Sequence, residues 1–146
     1  MEFRIIEYGS CAHRDMISLR DITLRKPLGL VFTDAYLQQE INDWLIGCYT
    51  TSNDKELLAG CCILTPVNEN TVQLRQMAVD PAFQGRGIGS GIIDFAEQQA
   101  KLNGFTEMIM HARKTAAGFY EKLGYSIHGD EFTEVGIPHY EMKKKL

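Results

Sequence analysis

Two hydrophobic rhythms divide the chain near residue 80. Before that point apolar residues alternate or gather in short runs between polar turns, the pattern of half-buried and buried strands. "EFRIIEYG" (2–9), "WLIGCYT" (44–50), "ELLAGCCILTPV" (56–67) and "TVQLRQMAV" (71–79) read as strands. "SND" (52–54) and "NEN" (68–70) separate the last three. Asn and Asp tolerate left-handed backbone and bond their own main chain, so these three strands form an antiparallel meander. Ser10 is placed to cap a polar helix running from about Cys11 to Arg25. Pro27 ends it, because the residue before a proline disfavours helix. Leu28 to Asn42 has no clear period and reads as loop with at most a short helix.

After Val79 the period lengthens. Ile88, Ile92, Phe95, Ala96, Gln99 and Leu102 recur at helical spacing, and Asn103-Gly104 stops the helix. "FTEMIMHA" (105–112) is another strand, and "AAGFYEKLGY" (116–125) a short helix closed by Gly124. Tyr125 to His128 and Ile137 to Lys143 read as closing strands. There is no repeat or linker, so one domain spanning 1–146 is expected.

Composition narrows the function classes. A chain of 146 residues, 45% hydrophobic and 23% charged, is ordinary for a globular fold. A chain of this size buries about 68–70% of its unfolded surface and needs no disulfide or metal staple. No metal is expected. The formal net charge of −4 and the lack of a basic stripe argue against nucleic acid or an anionic membrane as partner. Any anion site must be built locally. "KKKL" (143–146) reads as a short solvated tail. Adjacent Cys61 and Cys62 would point to opposite faces of a strand and make an unlikely disulfide pair, so Cys11, Cys48, Cys61 and Cys62 are all expected as reduced core or half-core thiols. No run approaches the roughly 20 apolar residues of a membrane span, and the start of the chain does not resemble a signal peptide. A cytoplasmic location is the default expectation.

"QGRGIG" (84–89) joins the last meander strand to the amphipathic helix. Its glycines therefore sit at a helix N-terminus, where the first N–H groups lack intrahelical partners and the dipole is positive. Glycine admits a close ligand and a positive φ, and Arg86 adds a cationic donor. These are the makings of a pyrophosphate site. A Walker loop would need Gly-Lys-Ser/Thr, and a dinucleotide fingerprint would need GxGxxG after a first βαβ strand. Neither fits.

The stretch "VDPAFQGRGIGSGIIDFAEQQAKLNGF" instead resembles the acetyl-CoA motif of the GNAT N-acetyltransferase superfamily, whose loop reads Gln/Arg-x-x-Gly-x-Gly/Ala. "QMAV" resembles the strand that pairs its backbone with pantetheine. "AAGFYEKLGY" resembles a second signature, Phe-Tyr-x-x-x-Gly-Phe/Tyr. The ending "FTEVGIPHYEMKKK" is similar to a branch closing in Glu-x-Gly-Ile-Pro-His. The resemblance implies an α/β (α+β) GNAT fold. Its sheet would be mixed but mostly antiparallel, with six to seven strands and about four flanking helices.

It also implies acetyl-CoA as co-substrate and direct attack of a primary amine on the thioester. The acceptor, a small molecule or a peptide, is left open, and so is a homodimer. Met77, Ala78, Val79, Gln84, Gly85, Arg86, Gly87, Ile88, Gly89, Ser90 and Tyr120 are the expected cofactor-binding residues. An N–H near Val79 would stabilise the oxyanion. Tyr120, with an ordinary phenol pKa near 10, would donate to the departing sulfur. Phe119 is expected in the core. His111, His139 and Glu134 are the candidates for the base, histidine because it titrates nearest neutrality. Glu134 is also a candidate to receive the substrate's ammonium, and water is a further route for the proton. Arg113 and Lys114 stand where many relatives carry a CoA-contacting asparagine. Gln73 and Arg75 are expected on the substrate side, and Cys11 to Leu37 as one wall of the acceptor pocket. "HRDMISLRD" (13–21) within it reads as a solvated charged face. A CoA-binding module without catalysis is the alternative, and Tyr120 favours the enzyme.

Overall fold

The computed structural model describes all 146 residues. Seven strands form one sheet in the order β1-β2-β3-β4-β5-β7-β6. They are β1 (Glu2–Ile6), β2 (Trp44–Ser52), β3 (Lys55–Pro66), β4 (Thr71–Val79), β5 (Glu107–Arg113), β6 (Ser126–Glu134) and β7 (Ile137–Lys145). Every neighbouring pair is antiparallel except β4 with β5. Four α-helices accompany them: α1 (Cys11–Arg20), α2 (Asp34–Gln38), α3 (Ile88–Leu102) and α4 (Ala117–Lys122). This is the mixed, mostly antiparallel architecture expected.

The meander is confirmed, with Asn53 and Asp54 both at positive φ in the β2–β3 turn, as a tight hairpin requires. The sheet separates two cores. On one face α3 buries Ile88, Ile92, Ile93 and Ala96 against Ile46, Leu64, Val72, Met108 and Met142. Fully burying each large side chain contributes about 1.5–3 kcal/mol. Gly60 lets α3 approach: a Cβ there would lie 2.7 Å from Ile92 Cδ1. On the other face α1 sets Met16 and Leu19 against Ile6, Leu45 and Ile63.

Several sequence expectations need correction. Helical turns continue past α1 through a π turn at Asp21–Arg25 and a 3-10 turn at Lys26–Leu28. Pro27 sits inside the latter at a first-turn position, where its missing N–H costs nothing. Leu102 is exposed, so the buried stripe of α3 ends two residues earlier, at Ala100. β6 extends to Glu134 rather than stopping at His128, with a register shift between His128 and Phe132. Lys143 to Lys145 are not a loose tail but the end of β7, paired with β5. Lys144 donates to Glu97 at 2.7 Å and to the Leu123 carbonyl at 2.8 Å. Phe119 is 39% exposed, because the turn of α4 that carries Tyr120 inward carries its neighbour outward. Cys48, Cys61 and Cys62 are buried and Cys11 is exposed, all as free thiols.

Candidate active site

The parallel pair is where the sheet opens. β4 and β5 pair only from Thr71–Glu107 to Leu74–Met110, yet both strands continue, β4 to Val79 and β5 to Arg113. Beyond Leu74 the backbone groups of β4 that face β5 meet no strand. A bulge sharpens the divergence. The β3–β4 register shifts between Cys61 and Ile63, and Gln76 takes φ +53°, a left-handed conformation unusual outside glycine.

A cleft of about 490 Å³ occupies the opening. β4 contributes Gln73, Arg75, Gln76 and Met77, and β5 contributes Met110, His111 and Arg113. Leu24, Arg25, Leu28, Leu30 and Tyr36 form one wall, as expected of the N-terminal helical region. Tyr120 on α4 and Glu134, Val135 and His139 from the β6–β7 hairpin complete it. That hairpin turns on Val135 and Gly136, both at positive φ. A β-branched residue there is strained, and the strain is held where the hairpin lines the cleft.

All four candidate catalytic residues therefore meet in one cavity. Glu134 bridges the two histidines: Oε1 lies 3.1 Å from His111 Nδ1, and Oε2 lies 3.7 Å from His139 Nε2. His139 Nδ1 is 2.7 Å from the Ile137 carbonyl, so this nitrogen carries the proton and donates. His111 Nδ1 must likewise donate to Glu134. In the neutral form each ring then presents an unprotonated Nε2. Phe132 packs between them, edge-on to His111 and stacked on His139. It fixes both ring planes, and no sequence pattern singled it out.

Tyr120 is buried, and its hydroxyl has no protein hydrogen-bond partner. Burial, with a lesser contribution from Cys62, pushes its pKa up to about 12, above the value near 10 assumed from sequence. The phenol is thus a neutral donor throughout the physiological range.

The glycine loop behaves as its composition predicts. Asp80 caps a 3-10 turn at Pro81–Phe83, and Gly85 and Gly87 take φ +79° and +75°. Gly87 is the N-cap of α3, without a side-chain cap. The first main-chain bond of the helix is Gly91 N–H to the Gly87 carbonyl, at 3.1 Å. The N–H groups from Gly85 to Ser90 meet no protein acceptor. A Cβ added at Gly85 or Gly87 would touch nothing within 4 Å, so space remains in front of them. Arg86 lies over the Phe83 ring at 5.4 Å. Gln84 ties the loop back to β4 through the Val79 carbonyl. Six unpaired donors with open space and a neighbouring guanidinium fit a pyrophosphate.

One expected solvated face is interior. Arg20 is 0% exposed, and His13 and Glu40 are also buried. The Arg20 guanidinium grips both oxygens of Glu40, at 2.9 and 2.5 Å, which removes its need for water. Lys114 pairs with Glu131 at 2.7 Å outside the cleft, whereas Arg113 lines it. Arg25 and Tyr36 are cleft residues that sequence reasoning placed only within a broad wall.

Comparison with known proteins decides the family. A sequence model of the acetyltransferase (GNAT) domain matches residues 32–146. The chain belongs to the GNAT family. An uncharacterized Bacillus subtilis protein, YyaT, is 38% identical over 77 residues, covering 53% of this chain and 52% of its own. The N-acetylaspartate synthetase of Danio rerio is 28% identical over 146 residues, 96% of this chain and 46% of its own. The chain spans about half the length of the curated relatives it matches. Among solved structures, a candidate N-acetyltransferase from Lactobacillus plantarum superposes with TM-score 0.83 at 25% identity, over 100% of this GNAT chain and 99% of the other. An aminoglycoside 6′-N-acetyltransferase complexed with coenzyme A gives TM-score 0.79 at 16% identity, over 99% and 97%, which shows a shared fold.

Proposed function

We propose that this GNAT domain transfers the acetyl group of acetyl-CoA to a primary amine bound in the β4–β5 cleft. The single observation that carries the reading is continuity. The unpaired N–H groups of Gly85 to Ser90 adjoin β4, and the open edge of β4 leads to a cavity holding Tyr120 and the His111–Glu134–His139 cluster. The CoA-bound solved relatives and the matched family agree with it.

In this reading Gln84 to Ser90 grip the pyrophosphate, and Met77, Ala78 and Val79 pair by main chain with the pantetheine arm. A β4 N–H released by the splay receives the carbonyl oxygen as charge develops on it. The amine nitrogen bonds to the acetyl carbon and the C–S bond breaks. The proton lost by nitrogen goes to an imidazole Nε2, and Glu134 stabilises the imidazolium formed. Tyr120 donates its O–H to the leaving sulfur. With its pKa near 12 the phenol is a weaker acid than an ordinary thiol. Its contribution is therefore a hydrogen bond that strengthens as charge builds on sulfur. We place the whole reaction in one domain, 1–146, in the cytoplasm.

Titration calorimetry with acetyl-CoA, paired with thiol release over a panel of primary amines, tests this. Binding with acceptor-dependent thiol release is expected. Gly87→Val should weaken acetyl-CoA binding at least tenfold. A β-branched residue resists φ +75°, at a cost of about 1–2 kcal/mol for a left-handed residue, and its side chain would enter the space in front of the loop. Binding without turnover would favour a non-catalytic CoA module. Unchanged affinity in Gly87→Val would remove the pyrophosphate site.

A further inference from the structure

The reaction above leaves the arginines of the cleft without a task. Arg25, Arg75 and Arg113 line it, against one carboxylate, Glu134, which already lies between two imidazoles. None of the three arginines forms an ion pair with any carboxylate of the chain. In a protein of net charge −4, unpaired guanidinium groups gathered in one cavity are not a consequence of overall composition.

Two of them are positioned by the same side chain. The Tyr36 hydroxyl accepts from Arg75 Nη2 and from Gln76 Nε2, both at 2.8 Å. Arg25 lies over the Tyr36 ring, 5.0 Å from its centroid, and over Phe32 at 4.5 Å. With both lone pairs engaged, the Tyr36 hydroxyl keeps its own proton to give. The result is a preformed set of donors, and a planar guanidinium matches a carboxylate or phosphate in two parallel bonds.

The register places this set opposite the proposed base. Pairing of β4 and β5 stops at Leu74 and Met110. Arg75 and His111 are the next residues on each strand. They share the face of the paired Gln73 and Ile109, since side chains alternate with period two. Both line the cleft.

We propose that the acceptor is a small amine that also carries an anionic group, a carboxylate or a phosphate. Arg25 and Arg75, held by Tyr36, receive the anion, while the amine faces His111, Glu134 and His139. This rests on the acetyl-transfer reading and adds the acceptor class to it. The new N–C bond, the broken C–S bond and the proton transfers are those already described. The anionic group takes no part in them and serves only to orient the nitrogen.

The test is thiol release with matched primary amines: α-amino acids against their carboxamides, phosphoethanolamine against ethanolamine, and spermidine as a cationic control. Anionic acceptors should exceed their neutral counterparts in kcat/KM by at least about tenfold, the worth of one charge-assisted hydrogen bond. The amino-acid and phosphoethanolamine arms show which anion is used. Arg75→Gln, which keeps a donor for Tyr36, and Arg25→Gln should each remove the preference, mainly through KM, with acetyl-CoA affinity retained. Three results overturn the proposal: equal use of carboxamides or spermidine, a preference that survives both substitutions, or no turnover of any anionic amine by protein that binds acetyl-CoA. Failure of the wild-type protein to bind acetyl-CoA would instead overturn the underlying acetyl-transfer reading.

Discussion

Two histidine–glutamate groupings in this chain use the same residue types for opposite ends. In one, His13, Arg20 and Glu40 are all buried. His13 Nδ1 accepts from the Gly9 N–H at 3.0 Å, its Nε2 lies 3.3 Å from Glu40, and Arg20 takes both Glu40 oxygens. Apart from Arg20 Nε, which has no partner, the bonding capacity of the group is spent within the protein. In the other, Glu134 is partly exposed, its contacts to His111 Nδ1 and His139 Nε2 are 3.1 and 3.7 Å, and His111 Nε2 is left without a protein partner. The difference lies in saturation. A network whose carboxylate is enclosed by protein donors and away from any cleft ties elements together, here α1 to the 3-10 turn at Gln39–Asn42. A network with a free lone pair at a cavity is equipped for proton transfer.

Removing the central carboxylate of each separates the two roles. Glu40→Ala leaves the Arg20 charge buried without a partner, which costs about 3–5 kcal/mol. Urea denaturation should show this as a lower midpoint at unchanged slope. Glu134→Gln should stay within about 1 kcal/mol of the parent in the same experiment, because the residue is half in solvent. Its kcat should fall by about 100-fold, in the range general base catalysis supplies. A large loss of stability in Glu134→Gln, or none in Glu40→Ala, would erase the distinction.

The same contrast explains what could be read from the sequence. The meander, α3 and the glycine loop were legible because each carries its signal locally: alternation, a 3.6-residue period, or glycines at a helix start. The buried network was not. Arg20 and Glu40 are 20 positions apart, and Glu40 lies in a stretch of one- and two-turn helices too short for a hydrophobic period. Arg20 therefore looked like one charge on a polar helix. β6 was truncated because it is exposed along almost its whole length, so it shows no alternation. The candidate base cluster was named through family resemblance, and its bridging by Glu134 is a contact made by the β6–β7 hairpin. Tyr36 was placed only within a broad wall, since its importance lies in reaching Arg75 and Gln76 about forty residues away.

Tyr120 gives the smallest and most selective test, since it is buried like the first grouping yet opens on the cleft like the second. If its role is a hydrogen bond to the leaving sulfur, Tyr120→Phe should lower kcat about tenfold, roughly 1.4 kcal/mol, and leave acetyl-CoA affinity nearly unchanged. Burial raises its pKa to about 12, so the folded state favours the neutral phenol. The unfolded chain ionises near pH 10. The stability that Tyr120 contributes is therefore complete below about pH 10 and falls between about pH 10 and 12, by on the order of 2 kcal/mol. Tyr120→Phe should flatten that part of the stability profile. Tyr125, raised mainly by burial and also by Glu97, keeps its own alkaline loss in the variant, so the limb is reduced and not abolished. A variant with the parent's kcat but a flattened alkaline limb would leave Tyr120 as a packing residue. A variant with reduced kcat and the parent's alkaline limb would mean that the hydroxyl is solvated through the cleft, and that its acidity is nearer the ordinary value.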